Sequence, residues 1–351
     1  MKPVTVPFFI SHQGCPHACL FCDQRTISGS AGDLPSSGQI IERVVAWKQT
    51  AAGRPLDAAF FGGSFTALPW HAQKRLLAPL QPFLADGTIR SVRISTRPDY
   101  VTVDQLVRLK RMGVFTVELG VQSMDDEVLK RSGRGHTADA SEKAIRHVKD
   151  QELSVVAQLM PGLPGDTPAA SRESLMRVIR AGADAVRIYP AVVLAGTGLA
   201  RLFQEGSYRP LSLGQGIDLC KVLLHQANRE QIKVLRIGLQ AETGLNHSTV
   251  LAGCWHPALG HLVRSALWGD LLDHLTAGVP DGAPLVIRCH PSIRSDVAGH
   301  GSGTIKRLRS RLDCRIVPDS ALDLQTLALD FMDQRITGNL LTDLNYSLKE
   351  V

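Results

Sequence analysis

The feature that most constrains the fold is a regular alternation of short β-rich runs with amphipathic helical patterns over the first two thirds of the chain. Such alternation predicts a parallel sheet, because each strand–helix–strand unit returns the chain in the same direction. Six units of this kind form either a partial barrel or an open doubly wound sheet. The predicted strands are 4–10, 57–63, 91–96, 115–122, 154–162 and 185–193, and the clearest helical patterns are 72–84, 103–113, 138–151 and 168–182.

Glycine, proline and polar residues follow the C-terminal end of each predicted strand. After the second to sixth strands these segments are GGSF, STRPD, GVQS, PGLPG and YPAVV. Barrel enzymes carry their sites at this end of the strands, whereas an open Rossmann sheet needs a glycine-rich loop after its first strand. Here cysteines follow the first strand. The sequence therefore predicts a partial (β/α)6 TIM-like barrel with its site at the C-terminal ends of the strands.

Three cysteines, Cys15, Cys19 and Cys22, lie directly after the first strand with C-x3-C-x2-C spacing. Thiolates are the ligands of iron–sulfur clusters, and most clusters take four of them. Three thiolates would leave one iron open to an exogenous ligand, and nothing marks any of the other cysteines as a fourth. A structural zinc site is the alternative, with the fourth ligand supplied by His12, His17 or Asp23.

The composition excludes several classes of protein. Seven cysteines, an odd number with three clustered, disfavour a secreted disulfide framework. No apolar run approaches the length of a transmembrane helix, and the N-terminal apolar patch is too short for a signal peptide. We therefore expect a cytoplasmic protein with no membrane contact. The net charge of +6 is a mild indication of a polyanionic partner.

The segment CPHACLFC resembles the signature of the radical S-adenosylmethionine (radical SAM) superfamily, including the aromatic Phe21 before the last cysteine. In that family a [4Fe–4S] cluster chelates S-adenosylmethionine at its open iron and cleaves it to a 5′-deoxyadenosyl radical. The resemblance implies a partial (β/α)6 core, Cys15, Cys19 and Cys22 as cluster ligands, and an electron donor such as a flavodoxin or ferredoxin.

Five further motifs, in order, resemble the radical domain of the catalytic subunit of Elongator and its bacterial relatives. They are FFGGSF, STRPDY, VELGVQSMDDEVLKRSGRGHT, MPGLPG and RIYPAVVLAGTGL. Oxygen-independent coproporphyrinogen oxidase is a more distant match. The resemblance covers residues 5 to about 265. A chain of 351 residues leaves no room for the acetyltransferase domain of the Elongator subunit, so we do not expect acetyl-coenzyme A chemistry.

The resemblance also implies which residues contact the cofactor. The sequence differs from the family at Ser64, where relatives usually carry glutamate, and at Ser95, where they often do. Arg97 is left open between the cofactor carboxylate, the substrate and Asp99, and no residue is assigned to catalysis on the substrate. The implied cofactor contacts are Phe21, Gly62, Gly63, Ser64, Ser95, Gln122, Arg134 and Gln158.

A small basic module is predicted at the C-terminal end. We expect a barrel core at 1–205, an extension packing on the barrel at 206–278, and the module at 279–351. The segment 285–319 reads strand, helix, glycine-rich turn, helix, strand, and resembles a KH-type RNA-binding segment with GHGS in place of GXXG. The implied RNA contacts are Gly299, His300, Gly301, Ser302, Lys306, Arg307, Arg309 and Arg311.

Three functions are consistent with these patterns. The first is a radical SAM enzyme that modifies RNA, with tRNA as the favoured substrate. The second is a radical SAM enzyme acting on a small molecule, closer to coproporphyrinogen oxidase. The third is a zinc-stabilised RNA-binding protein without radical chemistry.

Overall fold

The structure, a computed structural model, describes residues 3–15, 19–24, 33–239, 245–246 and 248–346. The chain divides into two compact units, one formed by Met1–Pro210 with Gln240–Gly253 and the other by Leu211–Leu239 with Cys254–Val351. The predicted division at 205/206 and 278/279 differs from these two units and stays a prediction.

The strands follow the predicted order with small changes at their ends. They are β1 (Val4–Phe9), β2 (Leu56–Phe61), β3 (Ile89–Thr96), β4 (Val114–Gln122), β5 (Ser154–Leu159), β6 (Ala185–Ile188), β7 (Val192–Leu194), β8 (Lys233–Ile237), β9 (Val250–Gly253), β10 (Pro284–Cys289), β11 (Asp313–Pro318), β12 (Thr326–Phe331) and β13 (Gln334–Asn339). The predicted sixth strand is divided into β6 and β7 around Pro190, which has no N–H to continue a ladder.

The helices are α1 (Ser37–Thr50), α2 (Trp70–Leu77), α3 (Gln81–Ala85), α4 (Val103–Arg111), α5 (Asp126–Arg131), α6 (Ala138–Asp150), α7 (Pro168–Arg180), α8 (Gly198–Gln204), α9 (Leu213–Arg229), α10 (Leu259–Thr276), α11 (Arg294–Ala298) and α12 (Gly303–Arg309). The predicted helix 72–84 is two helices, because Pro79 and Pro82 interrupt the hydrogen-bond ladder. No helix in the described ranges is long and apolar enough to cross a membrane.

In the first unit, β1 to β6 pair in chain order and each strand is parallel to the next. Along β3 and β4 the fully buried apolar residues, such as Ile94 and Leu119, alternate with polar ones, so the polar residues share the opposite face. The guanidinium carbon of Arg187 on β6 lies 5.8 Å from the ring centroid of Phe61 on β2. Strands so far apart in the order can meet only if the sheet curls, and this confirms the predicted partial barrel.

Side-chain caps begin the helices that cover the sheet. The Thr102 hydroxyl accepts from the Gln105 N–H, and the Gln105 side chain accepts from the Thr102 N–H, which forms a capping box at the start of α4. Thr137 and Thr167 cap α6 and α7 in the same way, each through its hydroxyl. These caps begin α4, α6 and α7 within the loops that follow β3, β4 and β5.

The second unit contains the predicted small α/β module. Strands β10 and β11 are parallel, α11 and α12 lie between them in sequence, and β12 and β13 add an antiparallel hairpin on the other side of β10. The predicted order of strand, helix, turn, helix and strand is therefore confirmed. Its relationship to KH domains stays a prediction. Strand β9 ends at Gly253, and helix α10 begins at Leu259, two residues after Pro257.

Candidate active site

The cysteine loop is fixed between the end of α5 and the first turn of α8. The N–H of Leu20 donates to the carbonyl of Ser132 at 3.1 Å, and the N–H of Leu199 donates to the carbonyl of Leu20 at 2.7 Å. All three thiols, of Cys15, Cys19 and Cys22, are free and half-buried. The loop that carries the thiols is therefore held by the backbone next to Cys19.

Phe21 anchors the same loop by burying its ring. It packs against one apolar cluster that includes Val128 and Leu163, and against a second that includes Val193 and Leu199. Phe21 is only partly buried, so its packing stabilises the loop position by less than the roughly 3 kcal/mol that full burial of such a ring provides. The predicted contact between Phe21 and the cofactor stays a prediction, since the ring has this packing role as well.

Gln24, which the sequence analysis did not single out, connects the cysteine loop to the end of β2. Its side-chain oxygen accepts from the N–H of His12 at 2.5 Å and from the N–H of Gly63 at 2.6 Å. Its own N–H donates to Nε2 of His12 at 2.9 Å. No sequence motif marked this glutamine, because its partners lie on loops that meet only in the folded chain.

The two glycines after β2 have backbone that other residues adopt only with strain. Gly62 and Gly63 have φ values of +75° and +58°. A Cβ atom on Gly63 would lie 2.4 Å from the carbonyl oxygens of both Ile10 and Gln13. The neighbouring Ser64 is fully buried, and its hydroxyl lies 3.0 Å from the Thr96 hydroxyl. The predicted cofactor contacts of Gly62, Gly63 and Ser64 stay predictions.

We expect Gly63→Ala to destabilise the protein by more than Gly53→Ala, measured by urea unfolding. Both glycines have positive φ, but nothing lies within 4 Å of a Cβ on Gly53, so that variant reports backbone strain alone. The strain costs roughly 1–2 kcal/mol. At Gly63 the clash with two carbonyls adds to it and displaces the cysteine loop. Equal losses for the two variants would contradict the close approach.

Arg97 is fully buried beside the cysteine loop and forms a two-pronged ion pair with Asp99. Its Nε and Nη2 lie 3.0 Å from the two carboxylate oxygens, and Nη2 also donates to the carbonyl of Arg134 at 2.6 Å. Nη1 is 4.0 Å from Sγ of Cys19. Of the alternatives left open by the sequence, the structure therefore selects Asp99 as the ion-pair partner of Arg97.

Arg134 brings a second guanidinium to the same sulfur. Its Nη1 donates to Sγ of Cys19 at 3.4 Å, and its Nη2 donates to the carbonyl of Gly120 at 2.5 Å. Its Nε is buried and has no hydrogen-bond partner within the described residues. A Cβ on Gly120 would lie 2.8 Å from Nη2, so this glycine provides the space that the guanidinium occupies.

Burial controls the ionisation of the groups around this loop. It raises the pKa of Cys22 to about 12, with help from the neighbouring thiols Cys19 and Cys15, while the Arg134 charge acts in the opposite direction. Burial also raises the pKa of Cys15. Burial and the Arg134 cation lower the pKa of His136 to about 3, so His136 is neutral at pH 7. Binding a metal therefore displaces protons from these thiols.

The structure brings together the two predicted glutamines. Gln158 Nε2 donates to Gln122 Oε1 at 3.2 Å. Gln122 has φ of +71°, at a register shift where β4 meets β5, and its carbonyl accepts from the N–H of Met160. Ser95 lies elsewhere on the inner face, where its hydroxyl donates to Glu118 at 3.4 Å. Cofactor contacts by Gln122, Gln158, Ser95 and Arg134 stay predictions.

The residues around the cysteine loop fit an iron–sulfur cluster. Cubane ligation places each thiolate on a separate iron, whereas zinc gathers its ligands around one ion. His12 is already hydrogen-bonded through Nε2, and His17 lies outside the described residues. The unsatisfied Nε of Arg134 gives the site a buried donor for an acceptor group.

The predicted RNA contacts of the second unit divide into two groups. His300, Gly301 and Ser302 form an exposed turn after the buried Gly299. Three of the four basic side chains bind protein acceptors: Arg307 pairs with Asp273, Arg309 donates to the Cys314 carbonyl, and Arg311 donates to the carbonyls of Val279 and Thr276. Lys306 is exposed. RNA binding by this surface stays a prediction, and fewer of its N–H donors are free than the sequence suggests.

Comparison with known proteins agrees with this geometry. Residues 9–178 match the radical SAM superfamily, and residues 183–268 match the radical SAM C-terminal domain. The chain is 28% identical over 255 residues to the tRNA uridine(34) acetyltransferase of Methanocaldococcus jannaschii, a match that covers 61% of this chain and 47% of that protein. This chain thus spans about half the length of that relative.

Two further matches extend the comparison. An uncharacterized protein of the same archaeon is 30% identical over 226 residues, which cover 60% of this chain and 69% of that protein. The solved structure of the archaeal Methanocaldococcus infernus Elp3 is similar in fold, with a TM-score of 0.62 and 24% identity over 75% of this chain and 62% of that chain. The chain therefore belongs to the radical SAM superfamily, a family of enzymes whose cofactors are a [4Fe–4S] cluster and S-adenosylmethionine.

Proposed function

We propose that this protein is a radical SAM enzyme that modifies RNA, with tRNA as its substrate. The observation that carries the chemistry is the loop of three free thiols with two buried guanidiniums beside Cys19. The support for RNA is the similarity to a tRNA uridine(34) acetyltransferase. The exposed turn at 300–302 with Lys306 adds a surface that could contact a phosphate backbone.

Cys15, Cys19 and Cys22 would hold the cluster. When bound, the cluster and S-adenosylmethionine would supply one-electron cleavage of the cofactor and hydrogen abstraction from the substrate. The protein's own residues keep this chemistry in place. Gln24 holds the cysteine loop against the glycines after β2, and Arg97 and Arg134 provide positive charge at Cys19.

The test is anaerobic reconstitution of the protein with iron and sulfide, followed by addition of a reductant and S-adenosylmethionine. We expect formation of 5′-deoxyadenosine, and we expect added tRNA to accelerate it and to acquire a new nucleoside mass after digestion. A variant with all three loop cysteines replaced by alanine is the control. Absence of 5′-deoxyadenosine would overturn the radical chemistry, whereas its formation without any effect of tRNA would overturn the RNA substrate.

A small-molecule substrate is the second candidate. It is favoured by the bonding of Arg307, Arg309 and Arg311 to acceptors of the protein itself, which leaves fewer of their N–H donors for RNA phosphates. The electron donor, a flavodoxin or a ferredoxin in this proposal, and the cytoplasmic location also belong to the proposed function.

A further inference from the structure

Two arginines and one glutamate form a charged cluster on the inner face of the curled sheet. Glu118 of β4 accepts from Nη2 and Nε of Arg187 of β6 at 2.9 and 3.2 Å, and the same oxygen accepts from Nη1 of Arg93 of β3. Both arginines therefore share one oxygen of the Glu118 carboxylate. No sequence motif marked Arg93.

The charges in this cluster do not balance. Two guanidiniums meet one carboxylate, so the cluster carries a net charge of +1, while the third polar neighbour, Ser95, is neutral. The side chains of Glu118, Arg187 and Arg93 are 7%, 16% and 21% exposed. An uncompensated charge with so little contact with water destabilises the folded state, because the lost hydration is not replaced by an opposite charge. A counter-anion would remove that cost.

Arg187 is fixed in position before any ligand arrives. Besides Glu118, it donates from Nη1 to the Tyr189 hydroxyl at 2.9 Å, and its guanidinium lies 5.8 Å from the ring of Phe61. The Glu118 charge raises the pKa of Arg187 against the effect of burial, so the side chain remains a cation. An arginine held by several contacts loses little conformational entropy when it binds an anion.

Arg93 has donors to spare. Its Nη1 is used by Glu118, while its Nε and Nη2 donate to no atom in the part of the chain that the structure describes. The planar guanidinium group presents donors in a fork that matches two oxygens of a carboxylate or a phosphate. Both arginines are partly exposed, so water reaches them.

We propose that Arg93 and Arg187 form an oxyanion-binding subsite inside the barrel that holds a carboxylate or phosphate group of the substrate. This inference rests on the proposed function, because it takes the inner face of the sheet as the substrate cavity. Glu118 is four residues before Gln122, the last residue of β4. The subsite therefore lies roughly 13 Å from the C-terminal end of β4, measured back along the strand. A substrate anchored there would reach upward toward the cysteine loop.

The test uses the anaerobically reconstituted protein and labels its arginines with phenylglyoxal. Inorganic phosphate, acetate and chloride are added separately at matched ionic strength, and peptide mass spectrometry gives the labelling rate of each arginine. We expect phosphate or acetate, but not chloride, to slow labelling of Arg93 and Arg187. Stronger protection by phosphate points to a nucleotide substrate, and stronger protection by acetate to a small carboxylic acid. Arg90, on the same strand and 58% exposed, is the internal control.

Arg93→Met retains the apolar stem and removes the charge, and Arg90→Met is its matched control on β3. We expect Arg93→Met to raise the anion concentration needed to protect Arg187 by about tenfold, which corresponds to the loss of one charge-assisted hydrogen bond. We expect Arg90→Met to leave that concentration unchanged. Equal labelling of wild-type Arg93 and Arg187 with all three anions would overturn the subsite, and this measurement needs no variant to fold. Since neither tRNA nor turnover is involved, a failed tRNA assay leaves this result intact.

Discussion

Cys19→Ala, reconstituted anaerobically, is expected to bind little iron and to form 5′-deoxyadenosine more than about 100-fold more slowly than the wild type. Removing a residue that hydrogen-bonds to a metal ligand already lowers metal affinity or activity about 10–100-fold. Removing the ligand itself leaves only two thiolates for the cluster. The remaining four cysteines all belong to the second unit and are buried. Iron and sulfide content and the visible absorption of the cluster give a readout independent of turnover.

Cys314→Ala is the matched control for that experiment. Cys314 is a free, buried thiol on β11 in the second unit. We expect this variant to bind as much iron as the wild type and to lose only the packing of one sulfur atom. Full cluster content in Cys19→Ala, or equal losses in the two variants, would contradict the assignment of Cys19 as a ligand.

Arg97→Met is expected to lower the free energy of unfolding by about 3–5 kcal/mol, because it removes one partner of a buried ion pair. Arg97 is 2% exposed and Asp99 is 21% exposed. The variant leaves the Asp99 carboxylate without its cation and the Arg134 carbonyl without its donor. Urea unfolding measures the loss, and we expect the cluster content to fall as well, since Arg134 and Cys19 lose a shared neighbour.

A double variant separates the ion pair from packing. If the unpaired carboxylate causes the loss, Arg97→Met with Asp99→Asn will be more stable than Arg97→Met alone. Arg90→Met removes an ion pair in which the arginine is 58% exposed, and it should cost no more than about 1 kcal/mol. A loss as small in Arg97→Met as in Arg90→Met would show that the buried pair does not stabilise the loop.

Much of the fold could be read from the sequence because its signals are local. A period of two in β3 and β4, Thr102 and Thr137 at helix starts, and glycines after β2 are each set by a few adjacent residues. The places where the sequence analysis was wrong are also local. Prolines at 79, 82 and 190 divide elements that apolar periodicity alone would have continued.

The candidate site was predictable only in part. The type and spacing of Cys15, Cys19 and Cys22 indicated an iron–sulfur cluster, since three thiols on one loop need no distant partner to be recognised. The role of Gln24 was not predictable, because its side chain accepts from the N–H groups of His12 and Gly63, which are 12 and 39 residues away along the chain. Arg93 was missed for the same reason: its carboxylate partner is 25 residues away, on the next strand.

The sequence by itself thus determined the order of strands and helices and, through its resemblance to the superfamily, the cofactors, and it predicted the three thiols as cluster ligands. Only the tertiary structure decided which charges meet. Arg97 pairs with Asp99, two residues away along the chain, whereas Arg187 pairs with Glu118, 69 residues away. An arginine side chain is long and can reach several acceptors, so its partner is fixed by the curl of the sheet and by what burial leaves available, and neither is written in any local pattern.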